Sequence, residues 1–177
     1  FPGGAWEATD NEIDSAKTMA KKQIRLLSLE ADPAISSSLA MTAVRELWEG
    51  TGLRLSTKCA VKKHPKNWKR FFLEDQGPDL SGLKFFFRAV TPPGRPRRFD
   101  ARFFFCEAHY IYDDLDNFSK ASGELSELRW VDINYTDTLE LPKITKIVIS
   151  YLKDLIASNY NYAYVPFYSG GSEGLDC

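Results

Sequence analysis

Apolar residues recur three and four positions apart in three stretches of this chain. Over 11–30, Ile13, Ala16, Ala20, Ile24 and Leu27 fall on one side of a helical projection, with Asp10 placed as an N-cap. The segment ADPAISSS interrupts that pattern. A second helix is expected from Ser37 to Glu49, stopped by Gly50-Thr51-Gly52. Near the C-terminus, Ile144, Ile147, Val148, Tyr151, Leu152 and Leu155 mark a third helix over 141–157, with Pro142 in its first turn. Lys84–Thr91 (KFFFRAVT) and Phe99–Ala108 (FDARFFFCEA) flank the turn-rich PPGRPRR and predict an antiparallel strand pair, and Glu127–Ile133 predicts a further strand. Residues 53–75 are irregular to strand-like and carry the basic stretch Lys62-Lys63-His64-Pro65-Lys66, which suits a solvated loop. Tyr112–Gly123 predicts an acidic loop, and the Tyr- and Gly-rich chain after Asn159 predicts coil. Helices before, between and after antiparallel strands indicate an α+β chain or an α/β/α sandwich, with no internal repeat and no linker.

Composition narrows the function classes. The 177 residues are 44% hydrophobic and 14% aromatic against 27% charged, enough apolar surface for a proper core. The formal charge is −1, which excludes a general electrostatic grip on nucleic acid polymers or anionic membranes. No run approaches the roughly 20 apolar residues of a membrane helix. Cys59, Cys106 and Cys177 form neither a CxxC motif nor a paired framework, so a reducing, cytoplasmic setting is expected. His64 and His109 are too isolated for a zinc site, and no serine or cysteine triad is visible. Any chemistry therefore falls to carboxylates.

The second helix ends Arg45-Glu46-Leu47-Trp48-Glu49-Gly50-Thr51-Gly52-Leu53. Glu46 and Glu49, three apart, share a helix face. Two like charges there repel unless a hard divalent cation such as Mg²⁺ sits between them. Arg45, four residues before Glu49, can orient it through a salt bridge; a plain solvated face is the alternative. Phe1-Pro2-Gly3-Gly4 is a turn poor in side chains, whose backbone carbonyls can approach a metal or a phosphate.

Together these residues resemble the Nudix hydrolase signature, G-x5-E-x7-R-E-U-x-E-E-x-G-U with U aliphatic. The alignment starts at Gly4 and puts Asp10 at the first acid, a shorter side chain than the family's glutamate. Residues 11–44 then intervene where the family has seven. A box split this way is similar to a branch that includes the peroxisomal coenzyme A diphosphatases and bacterial relatives, which read FPGG, an acid, an interruption and a helix ending RETFEETGL. The similarity continues in Thr91-Pro92-Pro93-Gly94, Arg98-Phe99-Asp100, Arg102-Phe103-Phe104, Glu124-Leu125, Leu128-Arg129-Trp130-Val131 and Leu141-Pro142-x-Ile144-Thr145.

The resemblance implies an α/β (α+β) fold, a Nudix-type α/β/α sandwich with a mixed central sheet. It implies one domain over 1–158, a helical insertion at 11–37 and a C-terminal tail at 159–177. It also implies sheet strands ahead of the FPGG turn, without which an edge stays unpaired. By the same resemblance, Glu46, Glu49 and Arg45 are catalytic. Gly3 (through its carbonyl), Glu46, Glu49 and the loop residue Glu124 are ligands for Mg²⁺ or Mn²⁺. Arg95, Arg98 and Phe99 are expected to bind the substrate, with Arg97 in the same cationic cluster and Trp68 as a further aromatic surface. The expected activity is hydrolysis of the pyrophosphate bond in a small nucleotide, a nucleoside diphosphate linked to another moiety, coenzyme A-like or dinucleotide. A homodimer is a possible assembly. The departure that matters is Gly50, where the family carries a second glutamate. Either Glu124 or one of Asp113, Asp114 and Asp116 compensates, or the domain is a weak or inactive module that binds nucleotides or partners.

Overall fold

The computed structural model describes residues 1–29, 31–32, 35–60 and 64–170. Lys62, Lys63, Cys177, parts of the ADPAISSS segment and the end of the tail lie outside the described residues. Contacts divide the chain into two compact units, Phe1–Lys84 with Cys106–Arg129, and Phe85–Phe105 with the chain from Trp130 on.

In the first unit, a 3-10 turn at Ala8–Glu12 precedes α1 (Lys21–Leu29) and α2 (Ser36–Thr51). The first helix is therefore half the expected length. The stretch ahead of it is drawn into pairing: Ala16 N–H donates to Pro78 O at 2.8 Å, and Leu80 N–H donates to Lys17 O at 2.9 Å. Backbone groups committed there cannot close helical turns. Ile24, expected on the buried side, is 44% exposed, and Asp10 does not cap α1 but lies buried in the 3-10 turn, where its Oδ2 accepts from Glu7 N–H.

Helix α2 buries Ala40, Met41, Val44 and Trp48, an apolar stripe at helical spacing. It ends at Gly52, whose φ of 78° is left-handed and whose N–H donates to Trp48 O at 2.7 Å. A Cβ there would stand 2.9 Å from backbone atoms of Lys120 and Ala121, so glycine is required twice over. Beyond it, β1 (Ser56–Lys58) pairs antiparallel with β2 (Gln76–Pro78). Trp48, Trp68, Phe71 and Phe72 pack as an aromatic cluster, with Trp48 and Trp68 ring centroids 5.9 Å and 5.1 Å from Phe71.

The second unit is built on β3 (Lys84–Val90), β4 (Asp100–Phe105) and β5 (Phe167–Tyr168), in the order β4-β3-β5. Thr91 N–H donates to Phe99 O at 2.8 Å and Phe87 faces Phe103, so partner numbers fall along β4 as they rise along β3 and the two strands run antiparallel. β5 is parallel to β3, with Arg88 opposite Phe167, which makes the sheet mixed. Two residues of the stretch expected to be coil are thus strand. Phe85, Phe86 and Phe87 are all buried, so both faces of β3 are covered. Tyr151 of α3 (Lys143–Ala157) stacks on Phe86, and Tyr162 donates its hydroxyl to Phe85 O at 3.0 Å.

The strand expected at Glu127–Ile133 does not form. Residues 127–132 are not strand, Trp130 is 56% exposed, and Ile133 opens a 3-10 turn, Ile133–Thr138. Alternating residues make a strand only where a neighbouring backbone accepts their hydrogen bonds.

Candidate functional site

The chain before α1 runs along α2 and meets it at successive turns. Pro2 lies against Gly50, and a Cβ added at Gly4 would fall on the carboxylate of Glu46. Ala5 O accepts from Arg45 Nη2 at 2.8 Å, and Trp6 Nε1 donates to Ser38 Oγ at 2.7 Å. Glycine at position 4 is what lets the turn come this close to the helix face.

Arg45 organises that face. Its Nε donates to Asp10 Oδ1 at 2.9 Å and its Nη2 to Asp10 Oδ2 at 3.1 Å and to Ala5 O. Its Nη1 donates to Glu46 Oε1 at 2.7 Å and Glu49 Oε2 at 3.0 Å. All five donors of the guanidinium are used, and it is buried. Its pKa rises further still: burial opposes the charge, but Asp10, Glu46 and Glu49 outweigh that. Burial alone would raise the pKa of Asp10; hydrogen bonds from Arg45, Thr42 and the Glu7 N–H overturn this and hold the carboxyl below its ordinary value.

Glu46 goes the other way. Burial pushes its pKa up, the adjacent charges of Glu49 and Glu124 add to the rise, and Arg45 only partly offsets them. The rise comes first from burial, with the neighbouring carboxylates Glu49 and Glu124 adding to it, and a cation placed against Glu46 and Glu49 would relieve both. Among the described residues, no group of three or more His, Cys, Asp or Glu is arranged to hold a metal ion. An all-protein cage is thus absent there, whereas Mg²⁺ characteristically takes one or two carboxylates and keeps its waters and substrate phosphates as the remaining ligands. The pair Glu46 and Glu49 fits that mode of binding.

Glu124, in the same unit, acts on Glu46 through its charge and sits on a loop joined to α2 by Ser122 N–H donating to Glu49 O at 2.8 Å. Gly3 is exposed on the turn, with nothing within 4 Å of where its Cβ would be. Asp113 is not available as a compensating ligand. It is bound by Arg54, Nε to Oδ2 at 3.0 Å and Nη2 to Oδ1 at 2.8 Å, and by Lys120. Arg54 is itself buried and also reaches Leu73 O and Glu74, clamping two loops to the end of α2; no sequence signal marks this lone arginine as a hub. Burial pushes the Cys106 thiol up to about 11, so it carries little thiolate at neutral pH.

Arg95, Arg97, Arg98 and Phe99 stand in the second unit, on the connection from β3 to β4. Arg98 Nε donates to Thr91 O at 3.0 Å, and Arg97 lies 5.3 Å from the ring centroid of Phe99, which is 56% exposed. Trp68 is 1% exposed inside the aromatic cluster, so it offers no face to a ligand, contrary to expectation.

No family model and no curated protein matches this chain. Among solved structures, the chain is similar to a NUDIX hydrolase from Alicyclobacillus acidocaldarius, with a TM-score of 0.55 and 24% identity over 85% of this chain and 73% of that one. The fold is of the Nudix kind, mixed α and β with a mixed sheet, as the sequence led us to expect. Among the described residues, no helix is long and apolar enough to cross a membrane.

Proposed function

We propose that this chain is a Nudix-type pyrophosphohydrolase dependent on Mg²⁺ or Mn²⁺, acting on a nucleoside diphosphate linked to a second group. One observation carries the reading: Glu46 and Glu49 share a face of α2, locked by an arginine that is saturated from behind by buried Asp10. The Nudix fold and the split signature from Gly4 to Leu53 support it.

A divalent ion bound at these carboxylates would neutralise charge on the pyrophosphate oxygens. Arg45 donates to Glu46 Oε1 and Glu49 Oε2, which sets both side chains on the helix face. Glu46, with its raised pKa, accepts a proton from the attacking water. The water oxygen bonds to one phosphorus, the bridging P–O bond breaks, and two monophosphates leave. Arg95, Arg98 and Phe99 are the proposed contacts for the substrate's phosphates and base, through bidentate donation and stacking. The proposed domain spans 1–158, with 11–37 as an insertion in the signature, and free Cys59 and Cys106 suit a reducing, cytoplasmic setting.

A second reading, an inactive Nudix-fold module, draws support from Gly50, which removes a carboxylate from the helix face. Hydrolysis of ADP-ribose, coenzyme A, NADH and dinucleoside polyphosphates with Mg²⁺ or Mn²⁺ decides between them. Turnover that disappears in Glu49→Gln supports the enzyme. Binding of the same nucleotides without turnover supports the module.

A further inference from the structure

Gly50 is buried within α2, one turn beyond Glu46. A Cβ built on it would stand 3.2 Å from Pro2 Cβ and 3.4 Å from Leu125 Cδ1. A methyl there presses on Pro2 and touches Leu125, so a longer side chain would have to displace the glycine turn on one side or the loop carrying Glu124 on the other. Two residues after Pro2 in the turn, Gly4 packs on Glu46, so Pro2 against Gly50 and Gly4 against Glu46 interlock turn and helix at two points one helical turn apart. The 122–125 loop is fastened at the same end, through Ser122 N–H to Glu49 O at 2.8 Å.

We propose that Gly50 is a notch rather than a lost ligand: it seats Pro2 and Leu125 on the end of α2, and these two act as positioning residues that hold the Phe1–Gly4 turn and the Glu124 loop over Glu46 and Glu49. This rests on the proposed function. Its consequence runs against the family pattern. A carboxylate restored at position 50 displaces the turn and the loop, and weakens the site instead of completing it.

Mn²⁺ alone, titrated against the full chain, is the probe, read by loss of the free-ion electron paramagnetic resonance signal beside a thermal melt. Gly50→Glu and Gly50→Ala are expected to weaken Mn²⁺ binding by about 10-fold, the usual scale for losing support behind a ligand. Gly50→Ala is also expected to lower the melting midpoint, although helix propensity by itself predicts a rise. Pro2→Gly in the Gly50→Ala background makes room for the new methyl and is expected to recover part of both losses. Tighter Mn²⁺ binding by Gly50→Glu than by the parent overturns the notch, as does a higher melting midpoint for Gly50→Ala. A parent chain that binds no Mn²⁺ overturns the proposed function and the positioning role with it, whereas a parent that binds Mn²⁺ with additive, uncoupled losses at positions 2 and 50 overturns the notch alone.

Discussion

Arg45 and Asp10 meet through two parallel hydrogen bonds, Nε to Oδ1 at 2.9 Å and Nη2 to Oδ2 at 3.1 Å, with both side chains buried. The remaining donors of Arg45 go to Ala5 O, Glu46 and Glu49, so one guanidinium ties the opening segment, the helix and both proposed ligands together. Removing the charge of Asp10 takes from the guanidinium its most deeply buried counter-ion, and removing Arg45 leaves Asp10 buried without one. Asp10→Asn is expected to cost about 3 kcal/mol in denaturant unfolding. Arg45→Lys is expected to cost a similar amount, because an ammonium cannot reproduce a planar five-donor fork.

Glu46 trades stability against chemistry. Its folded pKa lies above the unfolded one, so the stability linked to its proton is present at low pH and is lost as pH rises through the folded value. Glu46→Gln removes that penalty while keeping an oxygen for Arg45. It is expected to melt higher than the parent at neutral pH, while hydrolysis falls by about 10²-fold or more. A scanning calorimetry trace beside a turnover assay checks both halves.

Acid acts through Asp10 and Asp113. Both carry lowered folded pKa values: burial opposes ionisation in each, and bonds from Arg45 and Thr42 or from Arg54 and Lys120 outweigh it. Their contribution is complete above the unfolded carboxylate range and is lost as pH falls from about 4 through the folded values. Unfolding free energy measured against pH is expected to drop in that window, and Asp113→Asn to flatten the drop while lowering stability at neutral pH.

Gly4 and Gly3 separate packing from flexibility. A methyl at Gly4 meets the Glu46 carboxylate, so Gly4→Ala is expected to displace that group and to lower kcat/KM by about 10²-fold, the cost of an ångström-scale misplacement. Gly3 has open space around it, and Gly3→Ala is expected to leave the unfolding free energy, measured with denaturant, within about 0.5 kcal/mol of the parent's.

Much of this was legible from residue spacing. The second helix, its glycine stop and the pairing of Arg45 with Glu49 follow from intervals of three and four, and the observed helix runs Ser36–Thr51. The strands at Lys84–Val90 and Asp100–Phe105 and the helix at Lys143–Ala157 follow from aromatic runs and periodicity. The first helix was legible only in its second half, because Ala16 and Lys17 give their backbone groups to Pro78 and Leu80. Glu127–Ile133 has strand-forming residues, yet 127–132 are not strand: a strand also needs a neighbouring backbone to accept its hydrogen bonds.

The sequence by itself determined where Glu46 and Glu49 fall on a helix, where that helix stops, and which segments can pair or coil. Those features depend on residues within a turn or two of each other, where geometry follows from bond rotation and side-chain shape. Tertiary structure alone decided that Asp10 is the buried anchor of Arg45 across 35 positions, that Asp113 belongs to Arg54 across 59, and that Gly50 is filled by Pro2 and Leu125. Each of these arises when closure of the chain buries a charge or a gap and the nearest complementary group must satisfy it, and no local periodicity encodes which group that is.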